Sequence, residues 1–369
     1  MADEILTLRD LNRALLARQM LLARAEVAPL EALGRLVALQ GQLTKAPYVA
    51  LWARVKAFQR QDLLAAIHDK RVVRSTLMRG TLHLATAQDV LAFRTTVMPP
   101  PDTTLPGGVR PTPEQLAKAL DLARAHFAPG PKDFDSIRKV YAREGVEPVR
   151  PMAYAARIML PLVQVNSDNP FGHDPGGEFT LARTWLGREE TTEPQPLELA
   201  RRYLAAFGPA TPADFSGWSG LKGAAAIFDA LGGELAVFKD ERRRTLYDLR
   251  DAPRPPGDTP APPRLLSDFD VAVISHQDRS RIVPPQYAAH MASKNGLIPP
   301  TVLIDGFVAG VWRVEARRKT ATVLIRLFEK VSAKDRKALE AEARDVARFL
   351  EPQAEACVTF EAGSRPSAG

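Results

Sequence analysis

The sequence predicts an α+β protein, mostly α, with three tandem winged-helix units and a β-rich C-terminal domain. Three observations carry that expectation. Apolar residues recur at helical spacing through most of the first 250 positions. Each of three helical groups then gives way to a short run of alternating or β-branched residues. Two proline-rich stretches, 98–113 and 251–265, divide the chain.

The first unit is placed at residues 1–100. "LTLRDLNRALLARQMLL" sets Leu8, Leu11, Leu15, Leu16 and Leu22 at helical spacing, with arginines between them. "APLEALGRLVALQ" repeats the pattern, with Pro29 suited to a first turn. Pro47 opens a third helix through "YVALWARV", and "RQDLLAAIHDK" reads as a fourth. "RVVRSTLMRGTLHLAT" then changes to strand character. Helices followed by a small strand pair are the layout of a winged helix.

The second unit, 112–192, has helices in "PTPEQLAKALDLARAHF" and "DFDSIRKVYAREG", followed by "MAYAARIMLPLVQVN" and strand-like "GEFTLARTWL". The third, 195–252, reads as helix, turn and helix through "PLELARRYLAAFGPATPADFSGWSGL", another helix in "KGAAAIFDALGG", and a hairpin in "ELAVFKDERRRTLYDL" turning at Lys239-Asp240-Glu241. The last part, 264–360, carries Asp305-Gly306 between apolar runs, a strong hairpin signal. Arg317-Arg318-Lys319 marks a second hairpin turn, and "SAKDRKALEAEARDVARFL" a closing amphipathic helix. The tail "EAGSRPSAG" is expected to be disordered.

With 369 residues, 45% of them hydrophobic, the chain can bury a substantial core. Its single cysteine, Cys357, excludes an intramolecular disulfide and a thiolate metal cluster, and fits a reducing compartment. No apolar run approaches the roughly 18–20 residues of a membrane span, and "MADEILTLRD" lacks signal-peptide features. A cytoplasmic protein is expected. The six histidines have no ligand-like spacing, and "GHDPGGEF" is not a phosphate loop, so no metal or cofactor is expected. Net charge is +7, and residues 1–80 alone hold 13 Lys/Arg against 7 Asp/Glu. That balance fits a polyanion partner, or equally an arginine-rich solvated surface.

The most informative stretch is Leu39-Gln40-Gly41-Gln42-Leu43. Its apolar surroundings predict buried amides, and an unpaired buried amide costs about 1–3 kcal/mol. Inside a helix, residues two apart point about 200° away from each other. If the helix ends at Gln40 or Gly41, an extended segment sets both amides on one side, with Gly41 free to adopt a left-handed conformation. Two readings stand: the amides tie off orphan helix carbonyls, or they serve a ligand.

"RLVALQGQLTKAPYVALWARV", "RSTLMRGTLHLATAQDV", "GPATPADFSGWSGL", "SHQDRSRIVP" and "VLIDGFVAGVWR" occur in order between about residues 8 and 350. Together they resemble the AlkZ/YcaQ family of winged-helix DNA glycosylases. The resemblance implies a tandem winged-helix fold around a DNA-binding cleft. It also implies monofunctional excision of bulky or cross-linked N7-alkylated purines from double-stranded DNA, in some members as self-resistance to a genotoxin. The family motif is Gln, a hydrophobic residue, then Gln or Asp. Gln40 and Gln42 match its polar positions in the AlkZ-like form and inherit the catalytic role; Gly41 departs from the hydrophobic middle. A cationic purine leaves without a strong acid, so two amide carbonyls suffice to position water and stabilise an oxocarbenium-like sugar.

For DNA contact the candidates are Lys45, Arg71, Arg74, Arg79, His83, Arg279, Arg281, Arg317, Arg318 and Lys319. Arg71, Arg74 and Arg79 flank the first wing; Arg317–Lys319 are placed to enter a groove by charge and shape. His83 suits either the cleft or a backbone hydrogen bond. His276, Asp278, Arg279 and Arg281 suit either DNA or a domain interface. Trp52, Trp185, Trp218 and Trp312 all sit in apolar patterns and are read as core. A nucleoid-associated monomer is expected, since no heptads support dimerisation. The rival is a non-catalytic winged-helix regulator, which would dimerise on a pseudo-palindromic site.

Overall fold

Thr7 opens the first helix by capping it. Its hydroxyl accepts the Asp10 N–H, while the Asp10 carboxylate accepts the Thr7 N–H at 2.9 Å. That helix, α1 (Leu8–Arg18), follows a two-residue strand, β1 (Ile5–Leu6). The computed structural model describes residues 4–291 and 296–361. Its first group continues with α2 (Pro29–Arg35), β2 (Leu39–Gln40), α3 (Ala46–Trp52), α4 (Arg60–His68), β3 (Val72–Thr76), β4 (Leu82–Thr86) and α5 (Ala87–Phe93). The second contains α6 (Pro113–Phe127), α7 (Ser136–Arg143), α8 (Val149–Met159), β5 (Leu162–Gln164), β6 (Phe179–Leu181) and α9 (Ala182–Leu186). The third contains α10 (Pro196–Phe207), α11 (Pro212–Ser219), α12 (Ala224–Leu231), β7 (Leu235–Asp240) and β8 (Thr245–Leu249). The C-terminal part has β9 (Arg264–Leu265), α13 (Val271–Ile274), α14 (Ala288–Met291), β10 (Thr301–Ile304), β11 (Phe307–Arg317), β12 (Thr320–Leu327), α15 (Ala333–Leu350) and β13 (Glu355–Phe360).

Helices lead into an antiparallel pair three times, but the pairs are not independent. Arg74 of β3 registers with Gln164 of β5, and Ser75 with Val163. The first two pairs thereby merge into one five-stranded sheet, β2-β4-β3-β5-β6. The third, β7–β8, recruits β1 in parallel, with Ile5 opposite Lys239. In the C-terminal sheet, β13-β12-β11-β10-β9, α15 provides the crossover that lets β13 lie parallel to β12. One apolar core runs through the first group, the third group and the C-terminal part. The second group packs mainly around its own cluster, with Phe127, Tyr141 and Met152 at its centre.

Two turn expectations resolve differently. Asp305 and Gly306, at φ 46° and 81°, join β10 to β11 as the hairpin signal predicts. In the β7–β8 hairpin, Lys239 still pairs with Thr245, so the turn falls at 241–244 rather than at Lys239-Asp240-Glu241. "GEFTLARTWL" yields only the short β6 before turning helical as α9. Trp52, Trp218 and Trp312 are buried; Trp185 is half-buried beneath the Lys70 ammonium, 4.0 Å from its ring. Among the described residues no helix is long and apolar enough to cross a membrane. The expected disorder of the tail concerns residues that, from 362 onward, lie outside the described ones.

Candidate active site

The glutamine segment is built by strand pairing, not by a helix end. α2 stops at Arg35, and the left-handed residue after it is Val37, at φ 67°. By residue 39 the chain is extended, and Gln40 registers opposite His83 of β4. The left-handed role expected of Gly41 is therefore not used. Its lack of a side chain serves close approach instead: a Cβ there would lie 3.2 Å from the Leu84 nitrogen and 3.4 Å from the His83 carbonyl carbon. The Gly41 N–H donates to the Leu82 carbonyl at 2.8 Å.

The two glutamines have different surroundings. Gln40 is 8% exposed, and its side chain has no hydrogen-bond partner among the described residues. It lines a cavity of about 680 Å³. Gln42 is exposed, does not line that cavity, and its Oε1 accepts the Leu82 N–H at 3.1 Å. Neither amide ties off a helix carbonyl: Gln42 accepts a strand N–H, and Gln40 faces the cavity without a protein partner among the described residues.

Three parts of the chain make the cavity. Gln40, Arg79 and Thr81 come from the first group, Ser216 and Gly217 from α11, and Phe269, Ile274, His276, Gln277, Arg279 and Ile298 from the C-terminal part. Arg79, at φ 55°, reaches across to the carbonyl of Trp218 and lies near Arg279 on the same rim. Lys45 is exposed, and its charge is felt by the half-buried Asp268, whose carboxyl burial pushes above the usual range.

Several expected DNA contacts are internal supports. Arg74 is 2% exposed. Its guanidinium donates to the Gly41 carbonyl at 2.7 Å, the Gln42 carbonyl at 3.2 Å and the Gln164 side chain. It holds the glutamine segment and has no face left for phosphate. His83 is buried, with Nδ1 2.9 Å from the Thr81 carbonyl. Burial pushes its pKa down to about 4, so it is neutral near pH 7. Arg281 is buried and donates to the Pro209 carbonyl at 2.7 Å. His276 meets the Phe207 carbonyl at 2.9 Å, and burial together with Arg281 holds it neutral. Asp278 pairs with Arg244 at 2.9 Å. The 276–281 cluster is thus largely an interface between the third group and the C-terminal part, and Arg279 is its one cation that is exposed and lines the cavity.

Arg71 is exposed, paired with Asp69 at 3.1 Å, and lines a separate cavity. Arg317, Arg318 and Lys319 are exposed at the tip of the β11–β12 hairpin, as their spacing predicts. No group of metal-ligating residues occurs among the described residues. Sequence reasoning missed Phe269 and Gln277. The only signal for Phe269 was an aromatic residue set between two aspartates ahead of an apolar run.

The chain resembles known proteins along most of its length. An interstrand DNA cross-link repair glycosylase from Streptomyces sahachiroi is 26% identical over 360 residues, covering 90% of this chain and 93% of that protein. The solved Streptomyces sahachiroi DNA glycosylase AlkZ superposes with a TM-score of 0.78 at 20% identity, over 97% of this chain and all of that one, and so shares the fold. The family profile described as DNA glycosylase AlkZ-like matches residues 33–349, from the last turns of α2 to the end of α15. The chain therefore belongs to the AlkZ-like DNA glycosylases, hydrolases of the N-glycosyl bond.

Proposed function

We propose that this protein, acting as a monomer, hydrolyses the N-glycosidic bond of N7-alkylated purines in double-stranded DNA, bulky adducts and interstrand cross-links included. One observation carries the reading: Gln40 presents an unpartnered, nearly buried amide to a cavity rimmed by Arg79 and Arg279. The Gln40 amide is not among the sealed, unpaired polar atoms, so it is open to the cavity and free to pair with water or a ligand there. Its carbonyl can accept a hydrogen bond from the attacking water or face the positive charge growing on the sugar. An amide is no base at neutral pH, and the buried histidines nearby are neutral, so the substrate must bring its own leaving-group activation. A cationic N7-alkylpurine does so.

Size fits as well. A second cavity of about 500 Å³ shares Arg279 and Ile298 with the first and is lined by Val283, Pro285, Ala288 and Met291. A bulky substituent has an apolar extension to occupy, which agrees with the name of the cross-link repair relative. The three helix-and-hairpin groups act as winged helices around the duplex, and the Arg317–Lys319 tip meets its backbone. Gln42 supports the site from the adjoining turn, with its carbonyl committed to the Leu82 N–H and Nε2 outside that bond.

The test is release of free base from a duplex with one N7-alkylguanine, by the wild type, Gln40→Ala and Gln42→Ala. The expected result is release by the wild type, loss of about 10²–10³-fold in Gln40→Ala with DNA binding retained, and a smaller loss in Gln42→Ala. Full activity in Gln40→Ala would move the site elsewhere. Tight binding without release, from this or a bulkier adduct, would replace the glycosylase reading with sequestration.

A further inference from the structure

Phe269 occupies a backbone conformation that a bulky side chain rarely adopts. Its φ is 50°, a region open to glycine and asparagine but an outlier for an aromatic residue. The surroundings impose it. On one side, Leu266 exchanges hydrogen bonds with Thr301, its N–H donating at 2.8 Å and its carbonyl accepting at 3.2 Å. On the other, the buried Asp270 is gripped by Arg54 at 2.6 and 2.9 Å and caps α13 through the Ala272 N–H. Between them the Phe269 N–H donates to the Ile298 carbonyl at 3.1 Å. Strain of this kind persists only where the structure over-determines it, and it collects at functional sites.

The ring contributes little to the fold in return. It is half-buried, makes no aromatic or cation–π pair among the described residues, and lies outside the packed apolar clusters that include its neighbours Ile274 and Ile298. What it does is line the cavity that Gln40 faces. A strained aromatic beside an unpartnered amide is a pair of features that protein packing alone leaves unexplained.

We propose that Phe269 is the aromatic face on which the alkylated purine rests while its glycosidic bond is exposed to Gln40. This rests on the glycosylase reading and assigns to one residue the preference of that site for bases that carry positive charge on a planar ring. The negative face of a phenyl quadrupole attracts a cation, and a base stacks on an aromatic face whatever its sequence context. A neutral guanine gains only the second of these contributions. Phe269 therefore adds selectivity for the charged lesion at the point where Gln40 adds none.

Three variants test this: Phe269→Leu keeps apolar volume, Phe269→Tyr keeps the π face, and Phe269→Asn suits the left-handed backbone. Two readouts are needed. One is single-turnover release of N7-methylguanine from duplex DNA. The other is binding preference for a duplex carrying 2′-fluoro-N7-methylguanosine, which resists hydrolysis, over one carrying 2′-fluoroguanosine. Phe269→Leu and Phe269→Asn are expected to lose about tenfold in both rate and preference, Phe269→Tyr to stay within about threefold, and Phe269→Asn to melt no lower than the wild type. A Phe269→Leu protein matching the wild type in rate and preference would overturn the inference and leave the glycosylase reading standing. So would a Phe269→Asn protein that melts well below the wild type, since the ring would then be core. Wild-type protein that releases no base yet prefers the cationic duplex, with Leu abolishing that preference, would sink the glycosylase reading and keep this one. Absence of both release and preference in the wild type would end both.

Discussion

Arg54 and Asp270 meet in a two-pronged ion pair at 2.6 and 2.9 Å, with both side chains fully buried. Arg54 lies just beyond α3, the helix that follows the glutamine segment; Asp270 ends the turn that carries Phe269. The two walls of the cavity are thereby fastened across more than two hundred residues of sequence. Arg54 also donates to the Ala50 carbonyl and the Gln19 side chain, which satisfies much of its buried guanidinium.

Breaking that pair from one side strands a charge in the core. Arg54→Met and Asp270→Asn are each expected to cost about 3–5 kcal/mol. The double variant should cost less than the sum of the two. Denaturant melts measure this directly; a single variant losing under about 1 kcal/mol would mean the pair is incidental.

Arg74 predicts a dissociation between catalysis and charge. Because it binds the Gly41 and Gln42 carbonyls and the Gln164 side chain, Arg74→Met should slow base release more than tenfold by loosening Gln40. Arg74→Lys should fail to rescue, since one ammonium cannot span three acceptors set for a planar fork. DNA affinity should keep its salt dependence in both. Arg279→Ala, by contrast, should lower the slope of log K against log salt by about one. A reduced slope in Arg74→Met would return that residue to the DNA surface.

Much of this was legible in the sequence, and the limits have a physical cause. Helical periodicity located α1, α3, α4, α6, α7, α10 and α15, and Asp305-Gly306 its hairpin, because those signals are local. Arg13, Arg18, Arg54 and Arg74 were unreadable as buried residues, and for Arg281 the sequence left an interface and DNA contact equally open. Nothing near an arginine announces a carboxylate or carbonyl far along the chain, and an arginine without a known partner is assigned to the surface. The β3–β5 pairing, β13 and the conformation of Phe269 were invisible for the same reason. Gln40 was picked out by its neighbours, but only strand register separated it from Gln42.

Gly41 is placed where its family pattern carries a hydrophobic side chain. Here a Cβ would press on the β4 backbone, which cannot rotate away. Gly41→Ala should therefore cost about 1–3 kcal/mol and slow base release as β2 shifts. Unchanged melting and excision would show that β2 yields freely at this point.

Buried histidines set an acid limit on stability. Burial pushes His83 down to about 4 and His173 to about 3, and His276 is shifted the same way. Between pH 6.5 and about 4 the unfolded chain binds protons that the native protein refuses, so stability falls as pH falls. Each histidine contributes up to about 1.4 kcal/mol per pH unit in that window, or roughly 3–4 kcal/mol together between pH 6 and 5. Above pH 7 these groups confer no pH dependence. Urea midpoints at pH 7, 6 and 5 would check this; equal midpoints at pH 7 and 5 would refute it.

The first helix made is among the last to be secured. Asn12 donates to the Arg281 and Gly306 carbonyls at 2.7 and 2.9 Å, Arg13 pairs with Asp305, and Arg18 grips Asp248 at 2.7 Å. At ribosomal elongation of about 5–20 residues per second, α1 waits for tens of seconds before these partners emerge. During that interval it is an arginine-studded amphipathic segment with its apolar stripe uncovered, a natural client for a nascent-chain chaperone. A chain that stops short of the C-terminal part would keep α1 tied at Arg18 and leave its other end, at Asn12 and Arg13, without partners.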